Sequence, residues 1–229
     1  MTEDRHSHAE DAQLLSDPEE IARREAENGL RQFNLALEMI RTSVKDKERP
    51  FKLRAGPILI LHKAALDGLD RLAGTFRNTP VTIGGSKHQP PHEAFVADEV
   101  QAMCEYVNEN WAAKSATHLA AYVLWKMNWI HPFSDGNGRT ARTISYVVFS
   151  AKVDSLLPGT PTIPEQIAAD KQPYYRGLEA ADVAWSMTKQ IDVSALENML
   201  NGMLAGQLLN ATKEASGETA GYAATTTLH

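Results

Sequence analysis

"SATHLAAYVLWKMNWI", residues 115–130, is the stretch that most constrains the fold. Apolar side chains fall on nearly every side of the helix it would form, and such a helix must be enclosed by others. Ser115 stands at its start as an N-cap. The spacing therefore predicts a buried central helix. A hydrophobic content of 43% supplies enough apolar surface to enclose it in a chain of 229 residues.

Other helical segments surround that one in the sequence. "SDPEEIARREAENGLRQFNLALEMIRTSV" opens with Asp17 as N-cap, Pro18 at the first helical position and two glutamates in the first turn, which predicts a helix from about Pro18 to Val44. "KDKERP" reads as a solvated linker. Helical periodicity returns in "GPILILHKAALDGLDRLAG", "HEAFVADEVQAMCEYVNENW", "NGRTARTISYVVFSAKV", "PEQIAADKQPYYRGLEAADVAW" and "VSALENMLNGMLAGQLL". One interruption differs. "NTPVTIGGSKHQPPH" has a β-prone piece from Val81 to Ile83, a Gly84-Gly85 turn and a return that stops at Pro90-Pro91, which predicts a small exposed β-hairpin. The expected class is all-α with a hairpin appendage. The expected organisation is a disordered segment 1–16, one helical domain over 17–210, and a polar mobile tail over 211–229.

Composition removes several function classes. The formal charge of −6 argues against duplex nucleic acid as the main partner. The polar N-terminus has no apolar leader region, and no run approaches the ~18 apolar residues of a membrane span, so a cytoplasmic location is expected. A single cysteine, Cys104, rules out an intramolecular disulfide, and its neighbours "VQAMCEYV" place it on a buried helix face.

The central helix delivers the chain to "HPFSDGNGRTAR", residues 131–142. A helix beginning near Asn137 leaves its first N–H groups unpaired and positively polarised, so the preceding loop is an anion site. Gly136 and Gly138 let the backbone approach a ligand without Cβ interference. Arg139 and Arg142, three residues apart, share a helix face and converge on charged oxygens held there. Together these describe a polyphosphate cradle. Asp135 at its mouth is a hard oxygen ligand suited to Mg²⁺ on phosphate oxygens, and His131 ends the buried helix with an ordinary pKa suited to accepting a proton. Taken singly, these are a helix-end histidine, a turn and a pair of surface arginines. Their order and spacing make the joint reading the stronger one.

The run matches position for position the signature H-P-F-x-D-G-N-G-R-x-x-R, and the chain resembles the Fic family. The resemblance extends to "AGTFR" with Gly74 and Arg77, to "VTIGGSKHQPP" and to "YYRGLEAAD", covering roughly residues 20–210. It implies a helical domain that transfers AMP from ATP to a Ser, Thr or Tyr hydroxyl of a target protein, with Mg²⁺ as cofactor and pyrophosphate as leaving group. His131 would be the base, Asp135 the metal ligand, Gly136, Asn137 and Gly138 the phosphate-binding loop, and Arg139 and Arg142 the holders of the β- and γ-phosphates. Residues Val81, Thr82, Ile83, Gly84 and Gly85 would form a flap that pairs with an extended segment of the target. Gly138 favours nucleotide transfer, since the Doc-like kinases of the family carry Lys there.

Many relatives restrain themselves through a helix of pattern [S/T]-x-x-x-E-[G/N]. This chain departs from it. "RREAEN" has Glu27 and Asn28 but Arg23 at the first place, and "SDPEEI" has Ser16 and Glu20 but Ile21 at the last. Glu27 is the inhibitory candidate. Tyr174 and Tyr175 are candidates for the wall of an adenine pocket, and a second copy of the chain is carried as a partner. The alternatives are removal of AMP from modified targets or transfer of another nucleotide on the same site, and a catalytically silent interaction module.

Overall fold

The computed structural model describes residues 13–46 and 48–217. Among the described residues eight α-helices follow in order: α1 (Pro18–Lys45), α2 (Ala55–Leu66), α3 (Val96–Glu109), α4 (Ala116–Ile130), α5 (Asn137–Lys152), α6 (Ile163–Ala169), α7 (Gln172–Thr188) and α8 (Ser194–Ser216), with a 3₁₀ turn at Glu93–Phe95 before α3. Asp17 accepts the Glu19 amide at 3.1 Å and starts α1, and Ser115 accepts the His118 amide at 3.0 Å and starts α4. Both N-caps are those the sequence predicts.

Ten of the fifteen residues of α4 are buried, because α5, α7, α8 and α3 enclose it. Trp125 and Phe133, among the largest fully buried side chains, anchor the core around its C-terminal end. α1 covers α2 and α5 with a stripe at Asn28, Gln32, Ala36 and Ile40, each four residues apart. The two polar members of that stripe are satisfied: Asn28 donates to Asp67 O at 2.8 Å and Gln32 to Leu61 O at 3.1 Å. Cys104 is buried as expected, and burial pushes its thiol up to about 12.

Several boundaries differ from the sequence reading. α2 stops at Leu66, because Gly68 (φ 72°) and Gly74 (φ 83°) turn the chain where helical spacing persists. The segment after Pro164 divides into α6 and α7 at Asp170–Lys171. α8 continues to Ser216, past residue 210. Residues 1–12 and 218–229 lie outside the described residues, whereas Leu14 donates its amide to Leu69 O at 2.9 Å.

The hairpin expectation is corrected: among the described residues no strand forms at residues 80–91. The segment is a loop with one turn, Ser86 N–H to Ile83 O at 3.2 Å. Pro80, Pro90 and Pro91 remove three donors that a ladder would use. The loop instead spends its polar groups on the helical body. His88 Nε2 bonds Trp129 O at 2.7 Å, and Arg77 binds the carbonyls of Thr79 and Pro91. No helix among the described residues is long and apolar enough to cross a membrane.

Candidate active site

The turn between α4 and α5 is built largely by its own residues. His131 caps α4 in the left-handed region (φ 51°, ψ 59°), and its amide closes the last helical turn onto Met127 O at 3.0 Å. Asn137 then folds back: its side chain accepts from the Phe133 amide and donates to the Phe133 carbonyl, both at 2.9 Å. That side chain is committed to closing the loop, so a phosphate contact at Asn137 falls to its backbone N–H at the start of α5. Gly136 is the α5 N-cap at φ 70°, and a Cβ there would meet Leu66 Cδ1 at 3.2 Å and His62 Cδ2 at 3.3 Å. Both conformation and space require glycine.

His62 on α2, which the sequence reading did not single out, supports this turn from below. The Gly74 amide donates to its Nδ1 at 2.9 Å, so Nε2 carries the proton that bonds Asp135 O at 3.0 Å. Its ring stacks on Phe133 with centroids 3.6 Å apart. Burial lowers its pKa to about 4, which keeps the imidazole neutral in this pattern of bonds. A lone histidine in "ILILHKAAL" was a visible signal. Its partners, 12 and 73 residues away, were not.

The cleft above the turn encloses about 350 Å³. His131, Asp135, Gly136, Gly138, Arg139 and Arg142 all line it, so the structure gathers the predicted motif residues around one cleft. His131 is 5% exposed, and burial lowers its pKa to about 4, with the Arg77 cation and His88 acting in the same direction. Its Nδ1 lies 3.4 Å from Asn128 O, which selects the tautomer with the lone pair on Nε2. Arg139 reaches Asp135 Oδ2 at 3.6 Å.

The cleft also brings in residues far from the motif in sequence. Trp125, Trp129, Tyr174, Tyr175 and Asp182 also line it, and the Trp125 indole donates to Asp182 Oδ1 at 2.8 Å. Tyr174 and Tyr175 thus reach the cleft, as proposed for an adenine wall, and Tyr174 is also core at 1% exposure. Of residues 81–85 Ile83 lines the cleft, and Ser86 and His88 of the same loop line it as well.

Glu27 requires correction. It pairs with Arg23 one turn away at 2.7 Å, with both side chains about half exposed. The glutamate that enters the cleft is Glu25, whose Oε1 lies 3.1 Å from Arg139 Nη1. Two residues apart on a helix is a rotation of about 200°, so the two carboxylates face opposite ways. Among the described residues no group of three or more His, Cys, Asp or Glu side chains is arranged to hold a metal. Asp135 is a single carboxylate beside the α5 N-terminus, a donor set that suits an ion held jointly with substrate phosphates.

The Fic/DOC family profile matches residues 52–149, which contain the whole motif, and over this segment the chain is similar to that family. It is 34% identical to Protein adenylyltransferase Fic of Drosophila persimilis over 114 residues, 49% of this chain and 22% of the relative. It is 30% identical to Protein adenylyltransferase fic-1 of Caenorhabditis briggsae over 155 residues, 66% of this chain and 28% of the relative. The chain therefore spans only about a quarter of the length of these curated relatives. Its fold is similar to a Fic domain containing signaling protein from Bacteroides thetaiotaomicron (TM-score 0.67, 24% identity, 83% of this chain and 73% of that one). It is also similar to Fic-1 (residues 134–508) from C. elegans (TM-score 0.63, 22% identity, 83% and 52%).

Proposed function

We propose that this chain is a protein adenylyltransferase, moving AMP from ATP to a Ser, Thr or Tyr hydroxyl of a target protein and releasing pyrophosphate. One observation carries the reading: a buried neutral histidine and two arginines of a single helix face share a cleft with the unpaired amides of that helix's N-terminus. The acceptor oxygen attacks the α-phosphorus, the bond to the β-phosphate oxygen breaks, and the hydroxyl proton passes to His131 Nε2. A low pKa keeps that nitrogen unprotonated across the physiological range, and an arriving triphosphate raises its basicity. The amides of Gly136, Asn137 and Gly138 hold phosphate oxygens, while Arg139 and Arg142 neutralise the β- and γ-phosphates.

Asp135 would hold Mg²⁺, which when bound neutralises phosphate charge and helps fix the leaving group. Glu25 is the residue that phosphates must displace from Arg139. The loop at residues 81–85 is the proposed docking edge, its backbone offered to an extended segment of the target. A location in the cytoplasm and a homodimer remain proposals of the same reading.

The test is incubation with Mg²⁺ and α-labelled ATP, CTP, GTP or UTP, followed by a search for label on the protein itself and on lysate proteins. Label from ATP that His131→Ala abolishes supports the reading. Label from another nucleotide changes the donor, loss of label from pre-modified targets changes the direction, and no label from any donor leaves an interaction module.

A further inference from the structure

Arg77 is 3% exposed, and its guanidinium makes an unusual set of bonds. Nε donates to His131 O at 2.8 Å, Nη2 to Ile130 O at 3.4 Å and to Pro91 O, and Nη1 to Thr79 O at 3.1 Å. The Arg77 amide adds a bond to Pro132 O at 2.8 Å. The carboxylate paired with it, Glu93, stands at 4.0 Å. A buried cation is usually retained by a close carboxylate. Here backbone carbonyls from two distant segments do most of that work, and burial pulls the guanidinium pKa down.

Those two segments are the ends of the loop beside the cleft and the turn that carries the base. Thr79 and Pro91 bracket the loop, and Ile130, His131 and Pro132 are consecutive. We propose that Arg77 is a positioning residue for acceptor transfer: its planar fork fixes both ends of the docking loop to the turn that holds His131, and so sets where an acceptor hydroxyl meets the base. The proposal rests on the transferase reading and on the loop as the docking edge. His88 Nε2 to Trp129 O at 2.7 Å is a third tie between the same two bodies.

Arg77 makes none of the bonds that shape the phosphate cradle. Those come from Asn137 onto Phe133 and from His62 onto Asp135. The two halves of the reaction are thus held by different residues. Loss of Arg77 should misplace the acceptor and spare the nucleotide. A misplacement near 1 Å can cost ~10²-fold in rate.

The experiment compares wild type, Arg77→Lys and Arg77→Ala. It measures affinity for a fluorescent ATP analogue, transfer from α-labelled ATP to itself and to lysate proteins at saturating ATP, and amide exchange along the chain. Arg77→Lys keeps the charge and loses the fork, so it separates geometry from charge and remains informative if Arg77→Ala melts early. Expected are a transfer rate about 10-fold or more below wild type in both variants, nucleotide affinity within about 3-fold, and faster exchange at residues 80–91 but not in α5. Methylguanidinium should restore part of the transfer in Arg77→Ala, and methylammonium should not. Wild-type transfer rates in Arg77→Lys, or parallel losses of transfer and affinity, overturn the positioning role and leave the transferase reading intact. A wild type that transfers no nucleotide at all removes that reading and this role with it.

Discussion

The two sides of the cleft mouth are organised in opposite ways. The motif turn, residues 131–137, closes on itself through Asn137 and Phe133; from elsewhere His62 holds its cradle end at Asp135, while Arg77 ties only its start, at His131 and Pro132. The loop at residues 80–91 has one internal backbone bond and takes its shape from Arg77 and Trp129. A phosphate site needs fixed amides, which local bonds supply cheaply. An edge that docks varied chains works with backbone groups left open to the partner.

The largest expected effect tests the firmness of the motif side. His62 and His131 both have pKa values lowered from 6.5 to about 4 by burial. Below pH 6.5 the unfolded chain takes up these protons while the native state does not until about pH 4. Their stabilisation is therefore complete above pH 6.5 and is lost as pH falls through that window, by about 1.4 kcal/mol per pH unit for each histidine. Urea denaturation of wild type and His62→Gln across pH 4–7 should show a shallower slope in the variant. Equal slopes would mean that His62 is not a neutral clamp beneath the turn.

Next in size is His131→Ala, expected to slow nucleotide transfer ~10²-fold or more with binding of a fluorescent ATP analogue nearly unchanged. Residual transfer above about a tenth of wild type would remove the base assignment.

On the loop side, Thr82→Pro should lower labelling of protein targets about 5-fold while the melting temperature and nucleotide affinity stay put, because docking would lose a backbone donor that the fold itself does not use. A comparable loss of nucleotide affinity would show that the loop supports the cradle after all, and the contrast between the two sides would fail.

The smallest effect concerns α1. The Glu25–Arg139 pair is partly exposed, at 46% and 28%, so its contribution is discounted to about 0.2–1 kcal/mol. Glu25→Gln should tighten ATP binding by at most about 5-fold, and Glu27→Gln should leave it unchanged, as titration with a fluorescent ATP analogue would show. The reverse order would restore Glu27 as the restraint.

What the sequence determined by itself is local. The N-caps at Asp17 and Ser115, the enclosed helix at 116–130 and the crowding of His131, Asp135, Gly136, Gly138, Arg139 and Arg142 around one turn follow from spacing of 3.6 residues and from the needs of a helix N-terminus, which act over a few residues. The tertiary structure decided whatever depends on partners distant in the chain. Glu25 rather than Glu27 enters the cleft because packing of Asn28 and Gln32 against α2 sets the rotation of α1. Val81–Ile83 forms no strand because strand propensity is weak until another strand pairs with it, while Arg77 and Trp129 offer the loop bonds that the fold has already oriented. His62 belongs to the site for the same reason: one lone polar residue in an apolar helix acquires its role only when two loops, 12 and 73 residues away, close onto its two nitrogens.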